Sequence, residues 1–177
     1  MLPERKSNRL ARSRYLGRNT YFVTVCCDGR RQVFCNSLAA SSILRNLKTV
    51  SESNSFLVHG YCVMPDHFHV IAEGARDESD LNEFVRVFKQ VTAFQHKKEH
   101  GEQLWQKGYY DHVLRASDSL DAVLWYVWSN PVRAGLCTDA RSYAHSGSFT
   151  LDWSGAARGE VDWEPPWKNA DSRQGEE

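Results

Sequence analysis

No stretch of this 177-residue chain approaches the run of about 20 apolar residues that a membrane-spanning helix requires. Its N-terminus has no apolar core of the kind that marks a secretory signal. Membrane roles are thereby disfavoured, and the expected location is the cytoplasm. The cysteines, Cys26, Cys27, Cys35, Cys62 and Cys137, show no Cys-x-x-Cys spacing and are odd in number, which argues against a zinc ribbon or a disulfide framework and for a reducing compartment. Net charge is also missing, because 22 Lys and Arg balance 22 Asp and Glu. That balance conceals an asymmetry: residues 1–31 hold eight Lys and Arg against two acids, and residues 151–177 hold three against seven. What the chain does have is apolar material, 41% hydrophobic and 12% aromatic, enough for one domain with a core of its own.

The periodicities divide it into a basic arm (1–19), a domain (20–141) and a loosely held acidic tail (142–177). The arm, RKSNRLARSRYLGR, mixes Arg with Ser, Asn and Tyr, a composition suited to a phosphate backbone with some base stacking. TYFVTVCC is β-branched and aromatic and ends in the turn-forming DGRR, so a first strand is predicted there. Asn36 or Ser37 caps a helix with Ala40, Ile43, Leu44, Leu47 and Val50 at helical spacing. SFLVHGYCV and HFHVIAEG flank MPD as a hairpin. Asp80 and Glu83 have capping-box spacing ahead of a helix with the stripe Leu81, Phe84, Val85, Phe88, Val91 and Thr92, running to about His100. LWQKGYYDHVLR supplies a fourth strand. Ser117 is predicted to cap a last helix, striped by Leu120, Val123, Leu124 and Val127 and stopped by the Asn130-Pro131 pair. The order β-α-β-β-α-β-α is that of an α+β fold, a split βαβ (ferredoxin- or RRM-like) antiparallel sheet with helices on one face and the other face left for a ligand.

Within the hairpin, VMPDHFHVIAEG spends His67 and His69 on one face of a strand while Phe68 points to the other. Alone, such a pair is better explained by an exposed polar strand face. On the last helix, Tyr126 and Asn130 lie four apart and so share a face, which by wheel position flanks the core stripe. A phenol with an amide one turn behind it supplies a nucleophile and an oxygen donor. Two neutral imidazoles, one carbonyl oxygen and open positions suit Mg²⁺ or Mn²⁺ with waters, whereas Zn²⁺ would prefer a thiolate or a third His.

MPDHFHVI, LWQKGYYDHVLR and YVWSNPVRAGL, in that order and at that spacing, resemble the signature blocks of REP-associated tyrosine transposases, members of the single-tyrosine HUH superfamily of insertion-sequence transposases. The resemblance covers about Thr20 to Leu136. It implies an HUH endonuclease fold, a divalent metal held by His67, His69 and Asn130, and Tyr126, five residues before Pro131, as the nucleophile. The implied reaction is cleavage of single-stranded DNA beside a hairpin, leaving a 5′-phosphotyrosine and a free 3′-OH, followed by rejoining to a second 3′-OH without ATP. Relatives often carry Gly-Gly-Thr before the first strand, where this chain has Gly17-Arg18-Asn19-Thr20, so some DNA contact there is expected to differ.

Arg12, Arg14, Arg18, Arg30 and Arg31 are the candidates for phosphate contact. Tyr109 and Tyr110 are competing phenols, read as packing or stacking residues, and His112 is read as a half-buried, satisfied histidine. The expected partner is a single-stranded DNA hairpin, with the protein a monomer or a homodimer. Two other readings stand beside this one. A non-catalytic single-stranded nucleic-acid-binding module with an RRM-like sheet would explain the sheet but not the four site residues. A small metallohydrolase would give a metal-dependent product without a protein adduct.

Overall fold

The computed structural model describes residues 12–153, 155 and 163–166. At its centre is a five-stranded sheet, ordered β4-β1-β3-β2-β5, in which every neighbouring pair is antiparallel. The strands are β1 (Thr20–Cys26), β2 (Phe56–Met64), β3 (His67–Gly74), β4 (Tyr110–Val113) and β5 (Ser146–Gly147). Four helices join them: α1 (Ser37–Ser53), α2 (Leu81–His100), α3 (Leu120–Trp128) and the single turn α4 (Asn130–Arg133).

Local chemistry accounts for the helix starts. Asn36 Oδ1 accepts from the backbone N–H of Leu38 and Ala39 at 2.9 and 3.4 Å, and Asp80 Oδ1 does the same for Asn82 and Glu83. Glu83 does not close a capping box; its carboxylate pairs with Arg86 on the next turn at 2.6 and 2.8 Å. The cap of α3 is Ser119, whose hydroxyl accepts from Ala122, and not Ser117 as the sequence predicts. Serines at both positions make the two starts alike in sequence; Asp118, which accepts the Arg115 N–H at 2.7 Å, holds the intervening turn outside the helix.

The α+β split βαβ class is as expected, with one difference in the arrangement of the helices. Tyr21, Val23, Val25, Phe68, Val70 and Ala72 form one sheet face and pack against α1 and α2 through Ile43, Leu47, Phe84 and Phe88. Phe22, Cys62, Met64 and Ile71, on the opposite face, pack against α3. The second face is therefore partly covered instead of open. The cause lies in α3 itself: Val123 to Trp128 are all buried, and a helix apolar all round needs cover on more than one side. Gly60 permits the approach, because a Cβ there would stand 2.5 Å from Leu124 Cδ2.

At the C-terminal side, the chain beyond Ser142 contributes more order than its composition suggests. Ser146 and Gly147 pair with Cys62 and Tyr61 as the edge strand β5, and the Trp128 indole donates to the Gly147 carbonyl at 3.0 Å. Trp153 packs on Trp128 with ring centroids 5.0 Å apart. Trp167 lies outside the described residues. At the N-terminal side, Tyr15 is buried in the core and Gly17, at φ +89°, donates its N–H to the Ser79 carbonyl at 2.9 Å.

Candidate metal and nucleophile site

The β1–β3 register places Thr24 opposite His69 and Cys26 opposite His67. Cross-strand partners point to the same face, so both imidazoles lie on the α3 side of the sheet. Their Nε2 atoms stand 3.1 Å apart. Each Nδ1 is held from behind: His67 Nδ1 lies 2.5 Å from Asp66 Oδ1, and His69 Nδ1 lies 2.8 Å from the Thr24 hydroxyl. The His69 ring also stacks on Phe22 at 5.4 Å. Burial holds the His67 pKa below the ordinary imidazole value, against the upward pull of the Asp66 hydrogen bond. A neutral imidazole is the form that ligates metal.

Tyr126 comes from α3 on the same face, and Phe22, which stacks on His69, meets the Tyr126 ring edge to face at 5.9 Å. The wheel reading put Tyr126 beside the core stripe, whereas it is buried, at 2% exposure. Part of that cover is Trp163, whose ring lies edge-on to Tyr126 at 5.2 Å and to Phe22 at 5.4 Å. On another side the Arg133 guanidinium sits 4.2 Å above the Tyr126 ring and donates to the Tyr126 carbonyl at 3.0 Å.

Asn130 occupies the break between α3 and α4. Pro131 lacks the N–H that would serve the Val127 carbonyl. The Asn130 amide nitrogen replaces it, donating to Val127 O at 3.1 Å and to Tyr126 O at 2.9 Å. Both partners are acceptors, so the assignment of nitrogen and oxygen in this amide is unambiguous, and Oδ1 is turned away from the helix carbonyls. Among the described residues no group of three or more His, Cys, Asp or Glu is placed to hold a metal. Two converging imidazole nitrogens do not make a closed zinc site; a divalent ion there would need further oxygen ligands and waters.

The competing phenols separate. Tyr109 packs against the α1/α2 core and donates its hydroxyl to Asn82 Oδ1 at 2.7 Å. Tyr110 pairs with Thr24 and so shares the histidines' face. His112 is half-buried, opposite Phe22 on β4, with Nε2 3.0 Å from Asp118 Oδ2. Burial alone would raise the Asp118 pKa, but hydrogen bonds from the Arg115 N–H, His112 and Trp163 outweigh it and hold the carboxyl below its usual value.

The arginines named from sequence are mostly engaged. Arg18 pairs with Asp77 at 3.0 Å, Arg30 with Asp66 at 3.3 Å, and Arg31 with Glu102 and the Gln103 carbonyl. Arg14 is exposed; of Arg12 only the backbone, in a short 3-10 turn, is described. Sequence reasoning passed over Thr24, Asp66 and Arg133. Arg133 was within reach of it, since seven residues after Tyr126 is two turns along the same helical face.

Residues 17–130 match the family of IS200-like transposases. The chain belongs to that family. This transposase is similar to a REP-associated tyrosine transposase of Escherichia coli K12, 24% identical over 151 residues, which span 80% of this chain and 88% of the relative. It matches an uncharacterized Haemophilus influenzae protein at 24% over 159 residues, 72% of this chain and 88% of that protein. Among solved structures, a REP-associated tyrosine transposase bound to a REP hairpin superposes with a TM-score of 0.68 at 21% identity, over 90% of this chain and 92% of the other, which bears on the fold. The resemblance carried by the three motif blocks is borne out. No described helix is long and apolar enough to cross a membrane.

Proposed function

We propose that this transposase cuts and rejoins single-stranded DNA beside a hairpin, through a 5′-phosphotyrosine on Tyr126 and with Mg²⁺ or Mn²⁺ held by His67, His69 and Asn130 Oδ1. The observation that carries the reading is the convergence of the two Nε2 atoms at 3.1 Å, each ring fixed through Nδ1, on the face that α3 lines with Tyr126. The ion's contribution is to polarise the scissile phosphodiester and neutralise its charge.

The remaining chemistry belongs to the chain. Tyr126 Oη gives up its proton and bonds to phosphorus as the P–O3′ bond breaks, and the departing 3′ oxygen takes a proton to become the free 3′-OH. Arg133, over the Tyr126 ring, fixes its orientation and sets a positive charge beside the position an anionic phosphodiester must take. Because the phosphotyrosine keeps one phosphodiester bond's worth of energy, a second 3′-OH displaces Tyr126 and reseals a strand without ATP. Phe22 and Trp163, packed against the Tyr126 ring, would limit the access of water that competes for the intermediate. Hairpin DNA as substrate rests on the structurally similar transposase's bound hairpin. A non-catalytic module reading single strands on an open sheet face would have less platform, because α3 covers part of that face.

The test is incubation with labelled single-stranded hairpin oligonucleotides and Mn²⁺, followed by a denaturing gel. Wild type forms a denaturant-stable adduct, and Tyr126→Phe forms none while its circular dichroism is unchanged. Tyr109→Phe and Tyr110→Phe keep the adduct. Tyr110 shares the histidines' face, so an adduct lost in Tyr110→Phe and kept in Tyr126→Phe would transfer the nucleophile's role to Tyr110.

A further inference from the structure

Around the histidine pair, the α3-facing side of the inner strands carries Phe22, Ile71 and Cys62 and one hydroxyl. Thr24 sits in the middle of β1, 6% exposed, with Phe22 two residues before it and Cys26 two after on the same face. A valine would fill the same space and keep β-branching without burying a polar atom. The Thr24 hydroxyl instead meets His69 Nδ1 at 2.8 Å, its cross-strand partner in the register.

The direction of this contact decides which nitrogen of His69 carries the proton. If Nδ1 carries the proton and donates it to Thr24 Oγ1, the Nε2 lone pair points at the position that His67 Nε2 also faces; if Thr24 donates instead, Nε2 carries the proton and cannot ligate. Asp66 enforces the same choice on His67, since a carboxylate only accepts and Nδ1 must therefore be the donor. Phe22, stacked at 5.4 Å, keeps the His69 ring from turning over. We propose that Thr24 is a positioning residue for the metal site, acting on His69 as Asp66 acts on His67, so that both Nε2 lone pairs converge on one ion. Arg30, 3.3 Å from Asp66, extends this support by holding the carboxylate. The inference rests on the assignment of His67 and His69 as ligands. Groups that fix a ligating histidine in this way are commonly worth 10- to 100-fold in metal affinity.

The test is Mn²⁺ binding to the full chain without DNA, followed by the electron paramagnetic resonance of free Mn²⁺, with circular dichroism to verify folding. Thr24→Val is expected to weaken binding by about 10- to 100-fold at an unchanged fold, and Thr24→Ser, which keeps the hydroxyl, to bind within about threefold of wild type. Wild-type affinity in Thr24→Val overturns the proposal. So does equal weakening in Val and Ser, which would make packing the cause. A readout that needs no variant is the imidazole ¹⁵N spectrum of the Mg²⁺-loaded wild type: His69 should carry its proton on Nδ1, and a protonated Nε2 overturns the proposal. The underlying reading is tested separately by His67→Ala with His69→Ala. If that protein binds Mn²⁺ like wild type, the ligand assignment itself fails, whatever Thr24→Val does.

Discussion

Trp105 shows how a single polar atom governs this core. Its indole N–H donates to the Thr92 hydroxyl at 2.8 Å, and Thr92 in turn donates to the Phe88 carbonyl at 2.7 Å, all three residues being buried. Thr92→Val keeps the shape and strands the indole N–H, so a loss of about 1–3 kcal/mol is expected, against a much smaller one for Thr92→Ser. Urea unfolding of the two variants checks this. The sequence placed Thr92 on the buried stripe of α2 but offered no means of pairing it with Trp105, because that contact depends on how the loop before β4 returns to the helix. Thr24 was opaque for a similar reason. A threonine in TYFVTVCC reads as a β-former, and its role emerges only when the register sets it opposite His69.

At the scale of the element, α3 depends on a partner that makes room for it. Gly60 lies under Leu124 and Trp128, with a Cβ position 2.5 Å from Leu124 Cδ2 and 3.6 Å from Trp128 Nε1. Gly60→Ala is expected to push α3 off β2, costing about 1–3 kcal/mol by overpacking. Because Tyr126 rides on α3, the rate of adduct formation should fall as well, at DNA concentrations that saturate binding. A stability loss with an unaltered rate would mean that α3 absorbs the shift without moving its tyrosine.

The end of α2 supplies a pH effect. Burial lowers the His96 pKa, helped by His100 one turn on, their rings 4.6 Å apart. Among the described residues its buried Nε2 has no hydrogen-bond partner. The unfolded chain therefore binds more protons at His96 than the folded one between the lowered folded pKa and about 6.5. Stability from this residue is complete above about 6.5 and is lost as the pH falls through that window. The drop in the urea midpoint from pH 7.5 to pH 5 should be smaller in His96→Gln than in wild type. An equal drop in both would assign the acid sensitivity to other groups. The effect is small, since His96 is only half-buried.

On the scale of the whole molecule, the charge asymmetry bears on DNA binding. Arg18, Arg30 and Arg31 spend their charges on Asp77, Asp66 and Glu102, which shifts weight to Arg14 and to Arg5, Lys6 and Arg9 in the arm. Tyr15 belongs to the core, so a truncation that spares the fold ends at residue 11. Removing residues 1–11 should weaken hairpin affinity and flatten its logarithmic salt dependence by up to about 2, at about 0.7 per phosphate contact on single strands. Adduct formation on Tyr126 at saturating DNA and low salt should persist. Unchanged affinity and slope would move the phosphate-binding surface to the body of the domain, with Lys97, Lys98 and Lys107 the next candidates.

Much of this molecule is written in periodicity and capping, which are local. The limits of β1, α1, the β2–β3 hairpin and α2, the two histidines on one strand face, and the tyrosine and amide one turn apart all follow from spacings that a chain imposes on its own neighbours. Asn36 and Asp80 cap where their side chains reach their own backbone, and nothing distant is needed. Only tertiary structure decided what joins segments far apart in the chain. That α3 crosses to the face opposite α1 and α2 depends on Gly60 and on the buried run from Val123 to Trp128. That Tyr126 is buried under Trp163, and that Ser146 and Gly147 add an edge strand, depend on a C-terminal segment with no periodicity to read. The setting of the histidine pair depends on the β1–β3 register, because only a ladder joining residues some 45 positions apart brings Thr24 to the nitrogen it holds.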